Sequence, residues 1–195
     1  MTTADEILGV WLDEVGPEGW YQGAPALDCA LRARFEAAWR RAAEGAYGLW
    51  LTYPSGALAY IILTDQFPRN MFRATAQAFA TDKWALAAAK AAIRRKWDLR
   101  IDEPARQFFY LPLMHSESLS DQEHCVRLVM ERMPETGAGT LLHARAHRDV
   151  IRMFGRFPSR NAALGRPSRE PETAYVEHGG YRERLKALQK LAGAA

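Results

Sequence analysis

Pro54-Ser55-Gly56-Ala57-Leu58-Ala59-Tyr60-Ile61-Ile62-Leu63-Thr64-Asp65-Gln66-Phe67-Pro68-Arg69-Asn70 is the stretch that decides the fold. Proline suits the first position of a helix, where its missing amide has no helical partner to lose, so a helix begins near Pro54. From Gly56 to Gln66 the residues are apolar around the helical circumference, and a helix apolar on every side is a buried one. This is the expected central helix. Pro68 lacks the amide that would continue it and disfavours the α conformation at Phe67, so Phe67-Pro68 is expected to end it in a sharp corner. Ninety residues later the corner recurs as Phe157-Pro158-Ser159-Arg160-Asn161, and each copy is followed by a further arginine, Arg73 or Arg166.

Outward from this helix, strand signals are almost absent: β-branched residues are few and no segment alternates with a period of two. Helical periodicity predicts helices over 3–14, 26–44, 76–96, 102–114, 140–155 and 168–178, with an amphipathic one over 181–191. Ser120-Asp121-Gln122-Glu123 has the form of a capping box and predicts another from there to Met133. Gly16-Pro17-Glu18-Gly19 and residues 134–139 are expected to be turns. The expectation is an all-α fold of eight or nine helices joined by short loops, one domain over residues 1–195.

Composition narrows the functional classes. Residues 45–64 carry no charge, but Gly48, Pro54 and Gly56 interrupt them and leave too short an apolar run for a membrane span. No signal-peptide pattern opens the chain, so a cytoplasmic location is expected. Cys29 and Cys125 stand far apart in apolar helical contexts, which suits inert packed thiols. The net charge is +3, and of 26 basic residues only five are lysines, so guanidinium forks dominate the basic surface.

The polar candidates gather at helix ends. Asp65 and Gln66 close the buried helix where the dipole disfavours a carboxylate, so Asp65 needs a cation: Arg69, or Arg156 or Arg160 if the corners meet. Asn70 and Asn161 each follow an arginine and fit helix caps. Arg145, Arg148, Arg152 and Arg156 form one helical stripe, open to a solvated face or to an anion pocket completed by Arg160 and Arg166. Within it Asp149 can pair with Arg145 or Arg152. His143 and His147 share a neighbouring stripe, but Ala144 stands where a zinc-binding pair has its glutamate, so no metal site is expected. His115 and Glu117 lie at a helix end and form a candidate acid/base pair, the alternative of two metal ligands completed by His147 or Asp65 being disfavoured; His115, Glu117, His147 and Asp65 are the catalytic candidates. The ligand-binding candidates are Gln66, Arg69, Asn70, Arg73, Arg156, Arg160, Asn161 and Arg166. The two corners are expected to lie side by side with His115 close by.

These residues carry a family resemblance. Asp65-Gln66-Phe67-Pro68-Arg69-Asn70, Tyr110-Leu111-Pro112, His115-Ser116-Glu117, Asp121-Gln122-Glu123, His147-Arg148-Asp149-Val150-Ile151, Phe154-Gly155-Arg156-Phe157-Pro158 and Leu164-Gly165-Arg166 resemble, in order, the bacterial family called domain of unknown function 924. The resemblance spans about residues 5–180 and implies stacked antiparallel helical hairpins similar to tetratricopeptide repeats, with no established activity. Ser159 departs from the histidine usual in that family, and His143 also departs from its pattern.

Two functional classes stay open. The first is a cleft of Arg, His, Asp and Glu side chains that binds a small anionic molecule and performs acid/base chemistry. The second is a protein-interaction scaffold in which the same residues are structural ion pairs. Nucleic acid is disfavoured as a partner, because no binding motif accompanies the arginine stripe. No cofactor or oligomeric state can be read from the residues.

Overall fold

Every regular element among residues 2–193, the residues described by the computed structural model, is helical. The chain divides between Pro112 and Leu113 into two compact units.

In the first unit α1 (Ala4–Leu8) runs on through a π-helical turn, Gly9–Val15, into the short α2 (Gly16–Gly19). The expected loop at 16–19 is thus a helical turn, because Pro17 sits at one of its first positions, where proline is at ease. The long α3 (Pro25–Ala43) follows, then a 3-10 turn over Gly48–Thr52. Cys29 is exposed on α3, which corrects the expectation of a packed thiol. Tyr53 is extended (ψ 157°), and Pro54 opens α4 (Pro54–Ile61) as read from the sequence. Ala57 to Leu63 are all buried, so this helix is central to its unit.

Pro68 does not end it. A π-helical turn, Ile62–Gln66, passes directly into α5 (Phe67–Met71), and Phe67 keeps helical angles (φ −57°, ψ −42°). The wider turn, in which the Phe67 amide bonds the Ile62 carbonyl five residues back, admits the proline ring without breaking the helix. Proline at 68 still removes one amide donor from this turn, and the neighbouring Thr64 carbonyl takes a side-chain donor. Thr81 fills that role: its Oγ1 donates to Thr64 O at 2.5 Å and accepts from Trp39 Nε1 at 3.0 Å. Thr81 precedes α6 (Asp82–Arg94) but makes no side-chain cap, because its hydroxyl is committed to this relay. The expected helix from residue 76 is a separate 3-10 turn, Ala76–Phe79, then α6. Phe67 lies between Trp11 and Phe35, with ring centroids 5.5 and 5.0 Å away. The expected helix over 102–114 is instead a 3-10 turn, Ala105–Phe109, then α7 (Leu111–Met114).

In the second unit α8 (Leu119–Arg132) is opened by extended Ser118 (ψ 123°), not by Ser120. The Ser120–Glu123 capping box does not form: the Ser120 hydroxyl bonds that of Ser118 (2.9 Å), and Asp121 accepts from Ser116 Oγ (2.8 Å). α9 (Gly137–Phe154) starts within the expected turn and packs back on α8 as a hairpin. Gly155 (φ 70°) closes α9 in the left-handed conformation that glycine adopts without cost. Here the proline corner behaves as expected: Phe157 is extended (ψ 107°) before the 3-10 turn Pro158–Arg160. α10 (Glu170–Glu177) is capped at Arg169 instead of opening at Ser168, and α11 (Gly180–Gly193) packs on α9. Val150, Ile151 and Phe157 form a core cluster, covered by Phe154 and Tyr175.

Candidate functional site

At the first corner the charges satisfy one another. Arg69 meets Asp65 (Nη1–Oδ1 3.2 Å), donates to the Asp65 carbonyl (2.6 Å) and grips Asp82 with both terminal nitrogens (2.9 and 3.0 Å). Gln66 Nε2 also donates to Asp65. Burial opposes the charge on Arg69, but Asp65 and Asp82 outweigh it and raise its pKa. Asn70 does not cap a helix: its Nδ2 donates to Asp28 (2.9 Å), which also takes a two-pronged bond from Arg73 (2.9 Å each). Burial raises the Asp28 pKa, and the bonds from Arg73 and Asn70 more than reverse that.

The second corner is built on two carboxylates. Glu117 accepts both Arg166 prongs (2.7 and 3.0 Å) and the Phe157 amide (2.8 Å). Burial pushes its pKa up, yet these donors hold it below the usual carboxylate value. Glu172, buried at the start of α10, accepts Arg156 (Nε and Nη2, both 2.7 Å), Arg169 and Asn161 Nδ2 (3.2 Å). The bonds from Arg156 and then Arg169 depress its pKa strongly. Asn161 is likewise no cap; its Oδ1 accepts from Arg166 Nε (3.1 Å). In the arginine stripe of α9, Arg148 and Arg152 both pair with Glu123 of α8, Arg152 at the exposed surface. Asp149 lies 4.0 Å from Arg152 Nη1, but its close partner is Arg184 of α11 (Nε–Oδ2 2.9 Å).

Beside this corner the second unit holds a cleft of about 540 Å³, lined among others by His147, Phe157, Ser159, Arg160, Tyr181 and Arg182. No acidic residue lines it among the described residues. His147 lies one helical turn after His143, and its Nδ1 donates to the His143 carbonyl (2.9 Å), which leaves the lone pair on Nε2. Burial, reinforced by neighbouring His115, pushes its pKa down to about 3, so the ring is neutral at pH 7. Its ring centroid is 4.7 Å from Tyr181, 5.5 Å from Phe157 and 6.2 Å from His115. His143 Nδ1 and the Tyr181 hydroxyl share a 2.5 Å hydrogen bond. Arg160 donates from Nη2 to the His115 carbonyl (3.0 Å), and its guanidinium lies 4.5 Å from the Phe157 ring centre. Gln122 braces the turn around His115 by donating to the Met114 and Ser116 carbonyls (2.6 and 2.7 Å).

Of the residues expected from the sequence, Asp65, Gln66, Arg69, Asn70 and Arg73 stand in the first unit's ion-pair network. His115, Glu117, His147, Arg156, Arg160, Asn161 and Arg166 gather at the second corner, where His147 and Arg160 face the cleft. Sequence reading missed Asp28, Asp82, Glu172, Tyr181 and Arg182. Glu172 had a signal, since a glutamate in a helix's first turn accepts orphan amides, as it does from Arg169 N (2.8 Å). Asp28 and Asp82 had none, because their partners lie 45 and 13 residues away.

Comparison with known proteins agrees with this architecture without supplying an activity. The family model described as "Bacterial protein of unknown function (DUF924)" matches residues 7–180. A solved structure of a protein of unknown function from Agrobacterium tumefaciens is 38% identical, with a TM-score of 0.83 over 90% of this chain and 97% of that one. No curated protein matches the chain.

Proposed function

The chain belongs to this bacterial family of unknown function, and on that footing we propose that the cleft in its second unit binds a small anionic molecule, with His147 Nε2 as the proton-accepting position. One observation carries the reading: Arg160 and Arg182 line the cleft and no carboxylate among the described residues does, while Asp28, Asp65, Glu117 and Glu172 stand outside it, each holding another arginine. A histidine held near 3 is a weak base at neutral pH. An anion beside it favours the imidazolium and raises that value, so the ligand brings proton affinity with it. Binding is therefore expected to take up a proton and to tighten as pH falls toward 5.

Thermal-shift titration with a panel of small carboxylates and phosphates tests the proposal on the native chain and on Arg160→Gln. A ligand at a hundred times its Kd stabilises the native protein by about 2.7 kcal/mol. It should fail on the variant. If no anion raises the transition of either protein, the proposal is wrong.

The satisfied ion pairs support a second reading, a tetratricopeptide-like scaffold of stacked hairpins. Under it, Asp65, Gln66, Arg69, Asn70, Arg73, Glu117, Arg156, Asn161 and Arg166 lock the helices, and a protein segment occupies the surface. Recovery of the protein from lysate with no stoichiometric partner counts against it.

A further inference from the structure

We propose that the ligands of the second-unit cleft are small aromatic monocarboxylates, the ring lying against Tyr181 and Phe157 and the carboxylate on Arg160 and Arg182. This rests on reading the cleft as an anion site and names the chemical class it takes. The walls are aromatic from three directions: His147 on α9, Phe157 at the corner and Tyr181 on α11, the last two with ring centroids within 5.5 Å of the histidine. Faces of this kind bind a planar ring more tightly than a puckered one of the same size. A space of about 540 Å³ suits a molecule of one or two rings.

Charge then selects the head group. Arg160 and Arg182 are the cations among the described residues lining the cleft, and Arg160 already donates to the His115 carbonyl. Arg182 is exposed at the cleft and takes part in no ion pair among the described residues. A guanidinium fork meets the two oxygens of a carboxylate, and part of the Arg160 charge is already met by Glu117, whose pKa it helps to lower, so the cleft offers a ligand fewer than the nearly two charges of a phosphate monoester. Tyr175 adds an independent sign that a partner is missing. It lines the cleft, and its hydroxyl is buried with no hydrogen-bond partner, a state rare in folded proteins unless something else completes it. The family match ends at residue 180, immediately before Tyr181 and Arg182, so the groups assigned to ring and charge include two that lie outside the matched region.

The test is calorimetric titration of the full chain with benzoate, cyclohexanecarboxylate and phenyl phosphate. Benzoate should bind at least tenfold more tightly than cyclohexanecarboxylate and no more weakly than phenyl phosphate. Tyr181→Leu should erase the preference for the aromatic ring, and Arg182→Gln should weaken benzoate about tenfold, both with unchanged circular dichroism. Equal affinity for the two carboxylates would overturn the aromatic assignment, and tighter phenyl phosphate would overturn the carboxylate, while either result leaves an anion cleft standing. Absence of binding by all three at millimolar concentration, together with a silent thermal-shift panel, removes both the class and the cleft.

Discussion

Replacing Thr81 by valine keeps the shape of a fully buried side chain and removes one hydroxyl. That hydroxyl serves two groups: it donates to Thr64 O and accepts from Trp39 Nε1. Because residue 68 is proline, the turn that carries Thr64 is short of one amide donor. Each buried group left without a partner costs about 1–3 kcal/mol, so Thr81→Val should cost about 2–6 kcal/mol. Against a total stability of about 5–15 kcal/mol that is a large loss. Loss of a helix cap adds nothing, since the hydroxyl caps no amide. Urea unfolding followed by tryptophan fluorescence measures the change. Pro68→Ala supplies the missing amide, so in the Thr81→Val background it should recover about 1–2 kcal/mol more than in the native background. Strict additivity of the two substitutions, or a cost for Thr81→Val below about 1 kcal/mol, refutes the relay.

Three further outcomes follow from the same kind of accounting. His147 has a folded pKa near 3 against an ordinary 6.5, so its contribution to stability is complete above about pH 6.5 and is lost as pH falls toward 3. Urea unfolding between pH 7.5 and 5 should show a slope approaching 1.4 kcal/mol per unit at the acid end, flattened in His147→Gln; parallel profiles contradict it. Cys29 is exposed, whereas Cys125 is buried with its thiol pushed up to about 12, so a thiol reagent should titrate a single cysteine in the native protein and both in urea. Arg184→Gln removes the closest partner of buried Asp149, and proteolysis near Gly179-Gly180 should then quicken roughly tenfold, the effect of about 1.4 kcal/mol in local opening; an unchanged rate means the pair does not hold α11.

The all-α class was legible because period-3.6 patterning and the absence of alternation are local properties, and local properties survive folding. The two corners show where locality stops. At Phe157-Pro158 the proline rule held, since Gly155 had already ended the helix and left Phe157 free to extend. At Phe67-Pro68 it failed, because Thr81 and the widened turn at Ile62–Gln66 repair what proline removes, and Thr81 is thirteen residues away in sequence. The sorting of polar residues failed for the same reason. Arg69 and Arg160 occupy equivalent places in the repeated motif, yet one grips Asp82 and the other lines a cleft. Tyr181 and Arg182 were passed over because an amphipathic helix face carries no mark of what lies opposite it.

That divergence of equivalent residues bears on function. A guanidinium clamped by carboxylates loses affinity for an anion in proportion to how well it is already satisfied, because a ligand must displace or add to an existing charge balance. Arg69, Arg73, Arg156 and Arg166 each meet a carboxylate at 2.7–3.2 Å, and the pKa values of Asp28, Glu117 and Glu172 are lowered in response. Arg160 and Arg182 border a cleft where the ring of His147 is neutral and adds no competing positive charge, and Arg160 also stands near enough to Glu117 to help lower its pKa. The same residue type therefore meets carboxylates in one setting and lines a cleft in the other. What separates them is the lining: Asp82 meets Arg69 at α6, whereas the described residues that line the second-unit cleft are arginines, aromatic rings and uncharged groups.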